Sequence, residues 1–319
     1  MRHCILFVSV SVVSMTIGML LRPSDDLHSS RFQTPAEQVC VAREGDPDGP
    51  ASIDDRKITQ HLQHTGGSLV ENGEATEVAT LIEQLSEREC NLELPQTADK
   101  PPEDGLLYEH AKQSTLVIAS IYKCDRCNNW HAGCASGFVI STSGAIVTNY
   151  HVVDKPTNST LVAMTADGKV LPIKRVLAAN KADDLAILEV DAQDHALTPL
   201  PIANSRMPIG SNVSVISHPG HHYYCYTSGV VSRYTQRRSK DGPAEAMTIT
   251  ADFARGSSGA PVLNDLGEVI GIVRSTESLY YKVEKGQQKN LQMVFKTCIP
   301  STSLLNLVAA TSDAESRNE

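Results

Sequence analysis

The chain has 319 residues, enough for one large domain or two of medium size. Its formal net charge of −9 at pH 7 argues against a nucleic-acid partner. Aromatic residues make up only 5%, so the core must be built from aliphatic and β-branched side chains.

Arg2 and His3 precede an apolar run from Cys4 to Leu21, which Arg22-Pro23-Ser24-Asp25-Asp26 ends sharply. The pattern predicts a signal peptide or signal anchor over residues 1–21. The run lies near the lower length limit for crossing a bilayer. No small-x-small cleavage site decides between the two, so membrane anchoring by this segment stays open. Either way the rest of the chain is expected outside the cytoplasm, periplasmic or secreted.

Residues 22–105 are polar and read as a largely disordered linker or pro-segment, with Glu44-Gly45-Asp46-Pro47-Asp48-Gly49-Pro50 as the most turn-rich stretch. One helix is predicted inside it. Between Glu77 and Leu85, the residues Val78, Leu81, Ile82 and Leu85 share a helical face. Gln96 to Gly105, with Pro101-Pro102, reads as a linker.

From Leu106 the pattern changes. Ser114–Tyr122 is β-rich, and short apolar runs follow, such as Gly137–Ile140, Ala145–Thr148, Leu161–Met164 and Val213–Ile216. Gly, Asn, Asp and Pro turns separate them. This spacing predicts an all-β barrel or sandwich over residues 106–310. Ser301–Ala310 reads as a closing helix, and 311–319 as a polar tail. The basic cluster Arg233 to Lys240 precedes the turn Asp241-Gly242-Pro243 and reads as a solvated hairpin tip.

Three segments carry chemistry. Gly256-Ser257-Ser258-Gly259-Ala260-Pro261 places a serine on a glycine-flanked turn, where the backbone can approach a substrate carbonyl closely. Ala145–Tyr150 is a strand that runs into His151. A histidine at a rigid strand end suits a general base held in one tautomer. Asp183-Asp184 opens the strand Leu185–Val190 and offers a carboxylate for the histidine Nδ1–H. Singly, each also reads as an ordinary turn or structural residue.

Together they resemble the trypsin-like serine proteases of the bacterial HtrA/Deg-type branch. The order His, Asp, Ser is that of the chymotrypsin class. Thr148-Asn149-Tyr150-His151-Val152, Asp184-Leu185-Ala186-Ile187-Leu188 and Gly256–Pro261 resemble that family's three motifs, which favours Asp184 over Asp183. His218-Pro219-Gly220 and Thr227–Ser232 resemble its second-barrel hairpin. The resemblance implies two six-stranded antiparallel β-barrels with a C-terminal helix. It also implies a serine endopeptidase acting on proteins or peptides through an acyl-enzyme. Ser258 would be the nucleophile, His151 the base and Asp184 the orienting group, with an oxyanion hole from the Gly256 and Ser258 N–H groups. It implies no cofactor.

This chain departs from the family at Ala260, where Gly is usual, and at Ser257, where Asn or Asp is common. No PDZ-like domain is expected after residue 310. Asp252 sits where a trypsin-like pocket carries its acid, although the family more often gives that aspartate a structural role. The rival reading is a catalytically silent binding protein on the same fold.

Eight cysteines are present, seven of them after the N-terminal segment. Cys124, Cys127, His131 and Cys134 have a spacing that a Cys3His zinc site could use. Outside the cytoplasm disulfides are the expectation, so no metal is assigned. Cys40, Cys90, Cys225 and Cys298 have no evident partners in the sequence.

Overall fold

The computed structural model describes residues 52–97, 100–102 and 106–309. The expected signal segment 1–21, the turn-rich stretch 44–50 and the tail 311–319 lie outside the described residues. Among the described residues no helix is long and apolar enough to cross a membrane.

The chain enters through α1 (Asp55–Glu71), which begins where the Asp54 carboxylate accepts the Lys57 N–H at 3.0 Å. It ends in a Schellman turn, with Gly73 N–H bonded to Val70 O and Glu74 N–H to Leu69 O. Gly73 there adopts φ 71°, a left-handed conformation that glycine takes without penalty. Ile58 and Leu62 are buried on its inner face. Gly66 and Gly67 let the helix settle directly on the strands below. A Cβ at Gly66 would lie 2.5 Å from Ile121, and one at Gly67 would lie 2.2 Å from Trp130. The expectation of a disordered linker over 22–105 is therefore corrected for this part of the chain. The burial of Ile58 and Leu62 outweighs the polar composition that surrounds them. The short helix α2 (Val78–Glu83) and a following 3-10 turn (Gln84–Ser86) bury Val78, Leu81 and Leu85, as the periodicity predicts. After β1 (Cys90–Asn91), α3 (Leu107–Ser114) leads into the barrels.

The first barrel is built from β2 (Thr115–Lys123), β3 (Trp130–Val139), β4 (Ala145–Asn149), β5 (Thr160–Met164), β6 (Val170–Asn180) and β7 (Leu185–Val190). Between β4 and β5 lies one helical turn, α4 (Tyr150–Val153). The six strands close antiparallel in the order β2-β3-β4-β7-β6-β5. Successive side chains on a strand point to opposite faces. Leu116 and Ile118 of β2 therefore join Leu161, Ala163 and Leu188 in one cluster. Val117, Ala119 and Ile121 join Ile58 and Leu62 of α1 in another, together with residues of the second barrel. Burial on both faces explains why β2 reads as a nearly continuous apolar run.

The second barrel comprises β8 (Asn212–Ser217), β9 (Cys225–Ser239), β10 (Gly242–Ile249), β11 (Pro261–Leu263), β12 (Val269–Glu284) and β13 (Gln287–Pro300). It closes in the order β10-β13-β12-β11-β8-β9 around Val215, Met247, Val262, Ile270 and Cys298. The two barrels match the expected architecture. The closing helix is shorter than expected. α5 is confined to Ser301–Leu305, and the chain then turns into β14 (Val308–Ala309), which pairs parallel with β1. This pairing ties the segment that precedes the first barrel to the end of the described chain.

Candidate active site

β4 ends at Asn149, and α4 then presents His151 while burying Val152 and Val153. Opposite, the turn Lys181–Asp184 brings Asp184 into the left-handed region at φ 66°, which Asp tolerates better than most residues. The turn is shaped by Asn180, whose Oδ1 accepts the Ala182 and Asp183 N–H groups. The Asp184 carbonyl accepts Tyr150 N–H at 3.0 Å and Asn149 Nδ2–H at 3.1 Å. Its carboxylate accepts His151 N–H at 3.0 Å and lies 2.9 Å from His151 Nδ1. His151 Nε2 is 3.2 Å from Ser258 Oγ. Asp183 instead bonds to Asn180 and Ser303, so the geometry joins Asp184, not Asp183, to the histidine.

Ser258 reaches the first barrel through Ser136 of β3. Ser136 N–H donates to Ser258 O at 2.8 Å, and its hydroxyl donates to Gly256 O at 2.9 Å. The turn depends on its two glycines. Gly256 has φ 102°, and a Cβ there would lie 2.3 Å from His218 O. Gly259 has φ 88°, and a Cβ there would lie 2.2 Å from Ser136 O. Ala260, by contrast, is fully buried without needing either concession. Arg255 O accepts Gly220 N–H at 2.7 Å, which leaves the Gly256 N–H on the opposite edge of that planar peptide. Among the described residues, neither Gly256 N–H nor Ser258 N–H has a hydrogen-bond acceptor.

Several neighbours were not legible from sequence. Arg274 of β12 is half-buried and sets Nε 3.2 Å from Asp184 Oδ2. Its signal was only a basic residue directly after an apolar strand run. Arg237 donates to the Ala182 carbonyl and lines the surface beside His151 and Asp184 with Asp241. The hairpin expected to be a solvated tip thus leans on the Asp184 turn. The long β9–β10 ribbon, paired from Val231 to Ser239, carries it there. His218 is fully buried. Its Nδ1 accepts Tyr224 N–H at 3.0 Å, and its Nε2 donates to Leu116 O at 3.1 Å. Burial depresses its pKa to about 4, so the ring is neutral at pH 7.

A cleft beside Ser258 is lined by Tyr122, Cys134, Lys155, His221 and Gly256 among others. Burial pushes the Cys134 thiol up to about 12, which makes it a neutral wall residue. Asp252 is exposed and pairs with Lys296 Nζ at 3.0 Å. That ammonium neutralises the carboxylate that recognition of a basic side chain would need. No disulfide joins the described cysteines. The four-residue Cys3His set is also not assembled. Cys124, Cys127 and His131 come together, but Cys134 points to His218 O and Ala135 O instead. His131 and Cys134 are three residues apart on one strand, and an odd separation places them on opposite faces.

Residues 135–272 match the trypsin-like peptidase domain family. The chain is 33% identical over 146 residues to the putative serine protease HhoA of Synechocystis sp., which is 44% of this chain and 36% of that one. It is 36% identical over 138 residues to a probable periplasmic serine endoprotease DegP-like of Halomonas elongata, 43% of this chain and 28% of that one. In both cases the match spans well under half of the relative. The crystal structure of Deg5 superposes with a TM-score of 0.48 at 23% identity, covering 62% of this chain and 88% of that one. Over residues 135–272 the chain is therefore similar to the trypsin-like peptidase domain family, and over less than half of its length to proteins named as serine proteases.

Proposed function

We propose that this protein is a serine endopeptidase that hydrolyses peptide bonds in protein or peptide substrates outside the cytoplasm. The observation that carries the reading is the unbroken line from Asp184 through His151 to Ser258, at 2.9 and 3.2 Å. In this reading Ser258 Oγ attacks the substrate carbonyl while His151 Nε2 takes its proton. The same proton then goes to the leaving amine, and a water repeats the sequence to release the acyl group. Asp184 holds the Nδ1–H tautomer and stabilises the imidazolium. Gly256 N–H and Ser258 N–H receive the developing oxyanion. Loss of one such donor costs about 2.7–4 kcal/mol in transition-state stabilisation. The extracytoplasmic setting rests on the apolar N-terminal run and on relatives named as periplasmic.

The test is hydrolysis of an unfolded protein substrate such as reduced casein. Wild-type protein cleaves it, and Ser258→Ala or His151→Ala lowers kcat at least about 10⁴-fold with the fold intact. Equal turnover by Ser258→Ala, or none by folded wild-type protein, contradicts the reading. The second outcome favours a silent binding protein on this fold.

A further inference from the structure

The tip of the β2–β3 hairpin carries a cluster that the peptidase chemistry does not use. Cys124 Sγ lies 3.4 Å from Cys127 Sγ, and Cys127 Sγ lies 3.1 Å from His131 Nε2. All three donor atoms fall within 4.8 Å of one another and are half-buried. We propose that Cys124, Cys127 and His131 form a zinc site that clips this hairpin shut beside the cleft.

Four observations carry the assignment. The donor set, two thiolates and one imidazole, is the one Zn²⁺ prefers. Zn–S and Zn–N bonds of about 2.3 and 2.0 Å put tetrahedral ligand atoms roughly 3.5–3.8 Å apart, so the Cys124–Cys127 and Cys127–His131 pairs need to open by only a few tenths of an ångström. The donors come from both arms of the hairpin, because Cys124 directly follows β2 and His131 lies on β3 opposite Tyr122. The ring of His131 stacks on Tyr122 at 5.4 Å and 26°, which presets its Nε2 toward the cysteines.

The nearby cation does not oppose a metal. Lys123 Nζ sits over Trp130 at 4.4 Å and faces Glu71 at 3.9 Å. Trp130 Nε1 donates to Glu71 as well, so α1 braces the same tip. Two thiolates neutralise Zn²⁺, and solvent takes the fourth position. Tyr122 links the clip to function, since it both stacks on His131 and lines the cleft.

The test uses the full chain in a Ser258→Ala background, purified with reductant and without chelator. Elemental analysis is expected to find about one zinc per chain. Exchange for cobalt is expected to give a thiolate-to-metal charge-transfer band. Cys127→Ser and His131→Ala should each lose most of the metal and open the hairpin to limited proteolysis near Arg126. Cys90→Ser and Cys134→Ser should keep the metal, and circular dichroism establishes that every variant is folded. Metal-free wild-type protein that stays metal-free after zinc is added overturns the proposal. So does metal retention by folded Cys127→Ser, or a Cys124–Cys127 disulfide in protein isolated without reductant.

Discussion

Burial of His218 makes the stability of this fold depend on pH, and the size of the effect follows from the structure. The ring is fully buried, donates to Leu116 O and accepts from Tyr224 N–H, so the folded state holds it neutral. Its pKa falls from the ordinary 6.5 to about 4. A depressed pKa means that the unfolded chain takes up a proton that the folded chain refuses. Stability from this group is thus fully present above pH 6.5 and is lost as pH falls toward 4. At about 1.4 kcal/mol per unit the limiting loss is roughly 3 kcal/mol, and about 2 kcal/mol of it falls between pH 7 and 5. Urea unfolding of the Ser258→Ala protein at pH 7, 6 and 5, with reductant, measures it. His218→Asn keeps an acceptor near the Nδ1 position and removes the titration. The unfolding free energy of the parent should drop by about 2 kcal/mol more than that of His218→Asn over this range. Parallel pH slopes in the two proteins would refute the reasoning.

Other outcomes follow from particular contacts. Leu62→Ala in α1 removes a side chain that is 1% exposed and should cost about 2–5 kcal/mol in urea unfolding. An unchanged midpoint would mean that α1 is an appendage rather than part of the core. Arg274→Met takes a cation away from the Asp184 carboxylate. It should lower kcat about tenfold, or ~1.4 kcal/mol, with little change in KM, and Arg274→Lys should recover part of the loss. Equal kcat in the wild type and Arg274→Met would remove Arg274 from any role in positioning Asp184.

Much of the site could be read from the sequence, because its local demands are strong. Ser258 sits between two glycines whose positive φ and missing Cβ the turn requires, and that requirement leaves a mark in the residue types. The strands of both barrels were visible for the same reason, since each apolar run is bounded by turn residues. Contacts that cross between distant segments were not visible. Ser136, Arg237 and Arg274 reach the site only once β3, β9 and β12 are paired, and their own neighbourhoods do not point to the site. The helix α1 was missed for a different reason. Ile58, Leu62 and Leu69 keep a helical period, but Gly66-Gly67 reads as a break. In the folded chain the same pair is what lets the helix approach Ile121 and Trp130. The cysteine cluster was half legible. Its spacing was clear, while the strand alternation that turns Cys134 away depended on where β3 begins.

The central claim is that His151 and Asp184 activate Ser258, and covalent labelling with a fluorophosphonate probe tests it most directly. The full chain should take up one adduct, peptide mapping should place it on Ser258, and labelling should vanish in Ser258→Ala and fall sharply in His151→Ala. A folded wild-type protein that takes up no probe, or an adduct that persists in Ser258→Ala, would contradict the account.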